Sequence, residues 1–312
     1  MNSITICVGI DVSKDRLDVQ VPGLKYFSIE NSRQGLQKLV GMLPEGSEIV
    51  LESSGGYERL AVKMLRECGM TVRVLNAYLT RQAARGAGHK AKTDKLDAKF
   101  LSEGCDRVPS SGEKSQFKQA LCDLSRHIQR MKLSAANAKK QRQSPGIDKH
   151  VQSSLAREIK FLESEIKKME LEFVQLVRGS EYASAYRNVL SVPNIGPVTA
   201  RILVTELPDD LDTYSSAQVS NYAGVAPLDN SSGRRIGRKN IAKGNVRLKA
   251  ALYIPALGAI QSQPWAKQLH HRLKEKGKSH QTIMVAIMRR LLIRVVAVLQ
   301  RKTPWQLEPP KC

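Results

Sequence analysis

The chain has 312 residues, a length typical of about two domains, and it carries 50 Lys and Arg against 29 Asp and Glu, for a net charge of +21. This excess of cations favours a polyanionic partner, most commonly the phosphate backbone of nucleic acid, over a merely soluble basic protein. The five cysteines lack metal-ligand spacing, which argues against a disulfide framework and structural zinc and fits a reducing cytoplasm.

No segment predicts membrane insertion. The first apolar run is short and ends at Asp11, so we expect no signal peptide. The apolar stretch from Ile283 to Leu299 is interrupted by Arg289, Arg290 and Arg294, and it therefore predicts a buried helix rather than a membrane span.

The first hundred residues alternate between strand and helix patterns. Apolar, β-branched runs predict strands at 4–12, 16–22 and 25–30, then at 48–56 and 71–77. Helical spacing predicts helices at 31–43, capped by Asn31 or Ser32, and at 57–70, closed by Gly69. The order βββαβαβ predicts an α/β layout, which is also the order of the ribonuclease H fold.

The middle of the chain predicts two long helices. Residues 115–144 are strongly basic with one apolar face, and residues 144–148 break the helix. The next helix has an apolar heptad seam of about three repeats, which favours a protein–protein coiled coil, with an antiparallel hairpin within one chain as the alternative. The seam comprises Leu155, Ile159, Leu162, Ile166, Met169, Phe173 and Leu176. From about residue 185 the pattern is mostly helical.

Carboxylates stand at the ends of predicted strands. Asp11 closes the first strand, Glu52 closes the fourth, and Asp94 and Asp97 share one face of a following helix. Alone, each has an ordinary explanation: a turn cap, an ion pair, a helix cap or a surface position. Together they favour a site for Mg²⁺, or Mn²⁺, because hard cations take oxygen ligands and promote phosphoryl transfer.

A basic segment rich in Gly and Ser follows at residues 226–253. Its cations and flexible backbone predict a phosphate-binding surface. These cations are Arg234, Arg235, Arg238, Lys239, Lys243, Arg247 and Lys249. Ser231 and Ser232 precede Gly233, and a serine beside arginines can attack phosphorus. The residues alone nevertheless favour an ordinary Ser-Gly turn.

A further segment, residues 189–203, has the pattern of a helix-hairpin-helix. An apolar helix end is followed by Pro193, Ile195 and Gly196 and then by a second apolar helix. The backbone N–H groups of such a turn can approach phosphates. A plain helix–helix connection explains the pattern equally well.

Six motifs, taken together and in order, resemble the DEDD insertion-sequence transposases of the insertion-sequence one-hundred-and-ten family, which includes the pilin-gene DNA invertases. They read GIDVSKDRLDV, LESSGGY, KTDKLDAKFL, SVPNIGPVTARIL, YAGVAPLDNSSGRRIG and RLKAALY. The resemblance implies a RuvC-like ribonuclease H domain at 1–148 that includes the basic helix. It further implies a coiled coil at 149–180 and a mostly α-helical transposase domain at 181–312.

The resemblance also implies a site and partners. The family's four acidic positions fall on Asp11, Glu52, Asp94 and Asp97, and its serine nucleophile falls on Ser232, with Ser231 as the alternative register. The family uses a structured noncoding guide RNA that pairs with donor and target DNA. Its active site combines the acidic cluster of one subunit with the serine of another, which requires a dimer or tetramer.

We therefore expect a bacterial, nucleoid-associated DNA transposase that cuts and rejoins DNA through a serine nucleophile. The alternatives are a site-specific DNA invertase of the same family, a Holliday-junction-type resolvase that uses water as nucleophile, and a catalytically inactive nucleic-acid-binding regulator. A DNA-linked protein species would distinguish the serine reaction from hydrolysis, because hydrolysis leaves no such link.

Overall fold

The computed structural model describes residues 6–44, 46–75, 80–81, 83–84, 94–104, 115–228, 231–232, 235–236, 240–241 and 244–306. The chain divides into two compact units, Met1–Glu113 and Lys114–Cys312. Each unit is described by itself below.

The first unit is built on a five-stranded mixed sheet. Its strands are β1 (Cys7–Val12), β2 (Arg16–Gln20), β3 (Phe27–Glu30), β4 (Glu48–Glu52) and β5 (Thr71–Leu75), in the spatial order β3-β2-β1-β4-β5. The first three strands form an antiparallel meander, and β4 and β5 continue the sheet in parallel with β1. The predicted α/β layout is confirmed.

Helices cover both faces of this sheet. On one face, α1 (Arg33–Met42) and α2 (Arg59–Glu67) bury Leu36, Leu39 and Leu65 against alternate strand residues such as Ile10 and Leu51. Ser32 caps α1 by accepting a hydrogen bond from the Gly35 N–H at 3.1 Å. On the other face lies α3 (Asp94–Gly104), which packs on β1, β2 and β4.

The second unit begins with an antiparallel pair of long helices, α4 (Gln116–Arg142) and α5 (Lys149–Arg178). Ion pairs between Lys132 and Glu170 (2.7 Å) and between Lys139 and Glu163 (2.6 Å) fix the direction of the pair. The contact boundary lies at 113/114, so α4 is described with this unit. The domain limits given in the sequence analysis stay a prediction.

The heptad seam of α5 packs inside the chain. Leu155, Ile159, Ile166 and Phe173 are buried with side chains of α4 or of the following helices, so the described structure has the intrachain hairpin that the sequence analysis held as the alternative. At the end of the seam Val177 is buried, while Leu176 is 41% exposed. The seam shifts by one residue there because an α-helix repeats every 3.6 rather than 3.5 residues.

The remaining helices pack into one core with α4 and α5. They are α6 (Ala183–Leu190), α7 (Pro197–Glu206), α8 (Ser216–Tyr222), α9 (Val246–Ser262), α10 (Pro264–Glu275) and α11 (His280–Arg301), with a 3₁₀ turn at Leu211–Thr213. Helix α11 buries Ile287, Leu291 and Val295 in this core, as its interrupted apolar pattern predicts. Within the described ranges, no helix combines the length and apolarity needed to cross a bilayer.

Four two-residue strands lie between α8 and α9. They are β6 (Pro227–Leu228), β7 (Ser231–Ser232), β8 (Arg235–Ile236) and β9 (Asn240–Ile241). Strand β6 pairs with β9, and β7 pairs with β8, both antiparallel. The two ladders are nested in sequence.

Candidate active site

Asp11 and Glu52 lie at the same end of neighbouring parallel strands. In the ladder of β1 and β4, Gly9 pairs with Val50 and Ile10 pairs with Leu51, so Asp11 and Glu52 are each two residues beyond the Gly9–Val50 pair. Because strand side chains alternate between faces, Asp11 lies on the face of Gly9 and Glu52 on the face of Val50. Both carboxylates are partly buried.

Helix α3 covers this same face of the sheet. The Cys7 thiol lies 3.9 Å from the Leu101 carbonyl oxygen, and a Cβ on Gly9 would lie 2.9 Å from the Leu101 Cβ and overlap the Ala98 carbonyl oxygen. Glycine is therefore required at position 9 for the helix to approach the strand. Gly9 thus lies against Ala98, Leu101 and Ser102 of α3, on the face of the sheet that Asp11 shares.

The first turn of α3 carries Asp94 and Asp97. In helical spacing Asp94, Asp97, Ala98 and Leu101 form one stripe, and Ala98 and Leu101 are buried against the sheet. Asp97 is partly buried, and the side chain of Asp94 lies outside the described residues. We call Asp11, Glu52, Asp94 and Asp97 the acidic face.

The donor chemistry of the acidic face suits a hard divalent cation, because carboxylate oxygens are the ligands that Mg²⁺ prefers. Among the side chains that the structure describes, no group of three or more His, Cys, Asp or Glu stands close enough to hold a metal ion. The side chain of Asp94 is not among those searched. The fit of the acidic face to a metal therefore rests on its carboxylate donors and on the sheet face that they share.

Asp18 is a fifth carboxylate next to the acidic face, opposite Asp11 in the ladder of β1 and β2. It is buried and accepts hydrogen bonds from the Tyr26 and Ser28 hydroxyls and, at 3.1 Å, from Arg16 Nε. Burial alone would raise the pKa of Asp18, but the hydrogen bonds from Ser28 and Tyr26 and the charge of Arg16 lower it. Asp18 therefore supports the sheet rather than offering a metal ligand.

Two residues that the sequence analysis did not assign to the site organise its loops. Asn31 Nδ2 donates to the Ser13 and Tyr57 carbonyl oxygens, both at 3.0 Å, and so joins the turn after β1 to the loop after β4. In that loop the Glu58 carboxylate accepts from the N–H groups of Ser54 (3.1 Å) and Gly56 (2.8 Å). Because Asn31 and its partners are 18 and 26 residues apart, no local pattern indicates these contacts.

The second candidate region is the basic loop, residues 226–245, which carries the proposed serine. Ser232 pairs with Arg235, and Ser231 pairs with Ile236. The side chains of Ser231, Ser232 and Arg235 lie outside the described residues. Four further cations lie wholly outside the described residues, namely Arg234, Arg238, Lys239 and Lys243.

The two stems of the basic loop touch each other closely. A Cβ on Gly244 would lie 2.5 Å from the Gly224 Cα and 2.6 Å from the Tyr222 carbonyl oxygen. The Asn245 N–H donates to that same Tyr222 carbonyl at 2.8 Å, and the Asn245 side chain caps α9 at the Arg247 N–H. Glycine is thus needed at position 244, because a side chain there would collide with the backbone of residues 222 and 224.

A buried carboxylate, Glu206 at the end of α7, anchors these stems. Arg126 holds it in two hydrogen bonds, Nε to Oε1 at 2.8 Å and Nη2 to Oε2 at 3.0 Å, and Asn245 Nδ2 donates to Oε2 at 3.0 Å. The hydrogen bond to Glu206 raises the pKa of Arg126. The Tyr222 hydroxyl donates to the Glu206 carbonyl oxygen at 3.0 Å, and burial raises the pKa of Tyr222 to about 12, which keeps it a donor.

The two basic residues after the loop differ in their surroundings. Arg247 is exposed, and its Nε lies 3.9 Å from Glu206 Oε1. Its positive charge therefore also interacts with the Glu206 carboxylate. Lys249 is partly buried on the first turns of α9. Both stand beside the loop stem, where their cations could meet a phosphate.

The helix-hairpin-helix pattern forms a tight connection between α6 and α7. Asn194 adopts a left-handed backbone with φ of 70°, and the Ile195 N–H donates to the Val192 carbonyl at 3.1 Å. Ser262 Oγ donates to Asn194 Oδ1 at 3.1 Å, which fixes the turn against α9. Gly196 caps α7 without a side-chain hydrogen bond. A role in phosphate binding stays a prediction.

Comparison with known families matches both units. A transposase family model of the DEDD IS110 type matches residues 8–144, and a model described as the transposase IS116/IS110/IS902 family matches residues 186–271. The first match includes Asp11, Glu52, Asp94 and Asp97, and the second includes Ser232 and the basic loop. The first match also runs through the basic helix α4, beyond the contact boundary at residue 113.

The relatives are consistent with these matches. The chain is 24% identical to the "Pilin gene-inverting protein" of Moraxella bovis over 96% of this chain and 97% of that protein, and the same holds for its namesake in Moraxella lacunata. It is 29% identical to the "Insertion element IS900 uncharacterized 42 kDa protein" of Mycobacterium paratuberculosis over 48% of this chain and 37% of that protein. Two domains of one family in their expected order and likeness along the whole chain show that the protein belongs to the IS110 family of insertion-sequence transposases.

Proposed function

We propose that this protein is an RNA-guided DNA transposase that cuts and rejoins DNA by Mg²⁺-dependent transesterification, with Ser232 as nucleophile. The observation that carries the proposal is that Asp11 and Glu52 end neighbouring parallel strands on the face of the sheet that α3, the helix of Asp94 and Asp97, covers. The strand order β3-β2-β1-β4-β5 supports a RuvC-like ribonuclease H assignment for this unit.

The acidic face would hold the metal through Asp11, Glu52, Asp94 and Asp97. When bound there, Mg²⁺ (or Mn²⁺) would supply positive charge for phosphoryl transfer. The protein's part is to fix the carboxylates in place. Gly9 allows α3 to lie against β1, and Asn31 and Glu58 hold the loops after β1 and β4.

Ser232 is proposed over Ser231 because it directly precedes Gly233 in the sequence. Its backbone partner is Arg235, whereas Ser231 pairs with the apolar Ile236, which supports the same choice. In the proposed step a bond forms between Ser232 Oγ and phosphorus while the bond from phosphorus to the leaving DNA oxygen breaks. The hydroxyl proton passes to solvent and the leaving oxygen takes one up. Attack by a DNA hydroxyl on the phosphoserine then rejoins the strands and restores the serine.

Cations of the basic loop and of α9 would hold the phosphates and offset the charge of the transition state. These residues are Arg234, Arg235, Arg238, Lys239, Lys243, Arg247 and Lys249. The family resemblance adds a guide RNA, donor and target DNA, and a homo-oligomer in which acidic face and serine come from different subunits.

The test is a plasmid recombination assay with guide RNA and Mg²⁺. Asp11→Asn, Glu52→Gln, Asp97→Asn and Ser232→Ala should each abolish recombination while leaving DNA binding intact. Ser231→Ala and Asp15→Asn, changes at a neighbouring hydroxyl and carboxylate, should retain it. Full recombination by Ser232→Ala, or activity unchanged by a chelator, would contradict the proposal.

The subunit arrangement has its own test. Asp11→Asn and Ser232→Ala subunits, each inactive alone, should recover recombination when they are mixed, because one supplies the acidic face and the other the serine. No recovery from mixed subunits that bind DNA would contradict the composite site.

A second candidate is a site-specific DNA invertase of the same family. Likeness along nearly the whole chain to the two pilin gene-inverting proteins favours it. A plasmid with two candidate sites in inverted orientation separates the two functions. Inversion without excision or insertion of the element supports the invertase, and insertion into a new target supports the transposase.

A further inference from the structure

The cations of helix α4 and of the start of α5 fall into two groups with different surroundings. Along the body of the helix, Lys118, Arg126 and Lys132 pair with carboxylates of the second unit, whereas Arg130 is exposed. Lys118 donates to the Leu207 carbonyl at 2.7 Å and pairs with Asp209, Arg126 pairs with Glu206, and Lys132 pairs with Glu170. These charges hold the fold together and are not free to bind a long polyanion.

The second group lies at the hairpin tip, which we define as residues 139–152. Lys140, Arg142 and Lys149 are exposed there, and no described carboxylate lies within 4.0 Å of their cationic nitrogens. The tip has one acidic residue, Asp148, whose carboxylate is used as the cap of α5 and accepts from the His150 N–H at 2.8 Å. Lys139 is paired with Glu163.

The tip encloses an open cavity of about 430 Å³, lined by Lys139, Arg142, Gln143, Ser144 and Gln152. Every lining side chain can donate a hydrogen bond, and none is acidic or apolar. Such a lining suits an oxyanion with several acceptor oxygens. Arginine in particular can donate two parallel hydrogen bonds to a phosphate.

Helix electrostatics explain only part of this arrangement. Cations in the last turn of α4 complement the negative end of its dipole, and this accounts for Lys140 and Arg142 without any ligand. It does not account for Lys149, which lies in the first turn of α5, nor for the neutral donors Gln143, Ser144 and Gln152.

We propose that the hairpin tip binds the sugar–phosphate backbone of nucleic acid, with the cavity taking one phosphate and Lys140, Arg142 and Lys149 contacting its neighbours. The inference rests on the proposed function, because it assigns a further surface to the same nucleic-acid partners. The shared chemistry is the phosphodiester, which either duplex DNA or the guide RNA could provide.

The experiment compares the full chain with the variant Lys140→Gln, Arg142→Gln, Lys149→Gln. Binding of a labelled DNA duplex and of a labelled structured RNA is measured by fluorescence anisotropy across a salt series, with chelator present to prevent cleavage. The matched control is Lys25→Gln, Lys38→Gln, Lys63→Gln, which removes the same charge from exposed lysines of the first unit.

For a duplex, each lost phosphate contact reduces the slope of log affinity against log salt by about 0.9, so the tip variant should lose about 2 to 3 in slope and at least about 10-fold in affinity. The control variant should lose clearly less salt slope and less affinity than the tip variant. A loss confined to DNA or to RNA supports the inference and identifies the source of the phosphate. Equal losses in tip variant and control, or none in either, overturn it. If the wild-type chain binds neither nucleic acid, the proposed function fails instead.

Discussion

Asn245 Nδ2 donates a hydrogen bond of 3.0 Å to Glu206 Oε2, and this contact joins the last residue of the basic loop to the buried end of α7. Arg126 from α4 holds the same carboxylate in a bidentate ion pair. The loop that carries Ser232 is thus fixed at its stem by side chains from distant parts of the unit.

Glu206→Gln should destabilise the second unit by about 3 kcal/mol, because it removes the charge partner of a largely buried arginine. Urea unfolding followed by the fluorescence of Trp265 and Trp305 measures this. The control is Glu165→Gln, which breaks a more exposed pair with Lys168 and should cost about 0.5 kcal/mol or less. Equal effects of the two variants would show that Glu206 does not anchor the stem.

Gly9→Ala should displace α3, since the added Cβ would overlap the Ala98 carbonyl and crowd Leu101. We expect a loss of about 3 kcal/mol in stability of the first unit and loss of DNA cleavage. Gly41→Ala in α1 is the matched change. Its Cβ meets nothing within 4 Å, and it should stabilise the unit by about 0.5–1 kcal/mol. Amide hydrogen exchange of α3 reports both, and unchanged protection in Gly9→Ala would contradict the close approach.

The hairpin of α4 and α5 can be tested with two phenylalanines of the same helix. Phe173 is 1% exposed and Phe161 is 64% exposed. Phe173→Ala should cost about 3–5 kcal/mol in unfolding free energy, whereas Phe161→Ala should change it by about 0.5 kcal/mol or less. Tryptophan fluorescence in urea measures both. A large loss for Phe161→Ala that depends on protein concentration would show instead that the outer face of α5 packs against a second chain.

Stability of the first unit should depend on pH through Asp18. Its pKa lies below the unfolded value of 3.8, so its contribution is present above about pH 4 and disappears as the pH falls through the folded pKa. Asp18→Asn should cost about 2 kcal/mol at pH 7, because hydroxyl and guanidinium donors lose their acceptor. At pH 2 the gap from wild type should shrink. Hydrogen exchange of β1–β3 measures it, with exposed Asp15→Asn as control, and a constant gap would contradict this account.

Local patterns predicted most of the fold because its elements are strongly marked. The alternation in β1 and β4 places Val8, Ile10, Ile49 and Leu51 on one buried face, so the strands and their terminal carboxylates could be found. The heptad seam was also found, but its partner was not, since the same spacing serves a helix of the same chain or of another chain.

Long-range contacts were beyond sequence reasoning. The sequence predicts a helix cap at Asn31 or Ser32, but the Asn31 side chain instead joins two distant loops. Glu206 follows an apolar helix and gives no sign that Arg126, 80 residues earlier, and Asn245, 39 residues later, converge on it. Such contacts depend on the packed fold and have no local signature.

The central claim is that Ser232 forms a covalent bond to DNA, and adduct mapping tests it most directly. The protein is incubated with Mg²⁺, candidate guide RNA and labelled donor DNA, denatured, and digested to locate any attached nucleotide. We predict a labelled adduct on the peptide containing Ser231 and Ser232, which survives Ser231→Ala and disappears in Ser232→Ala. Cleaved DNA with no adduct would contradict the claim and favour hydrolysis by water at the acidic face.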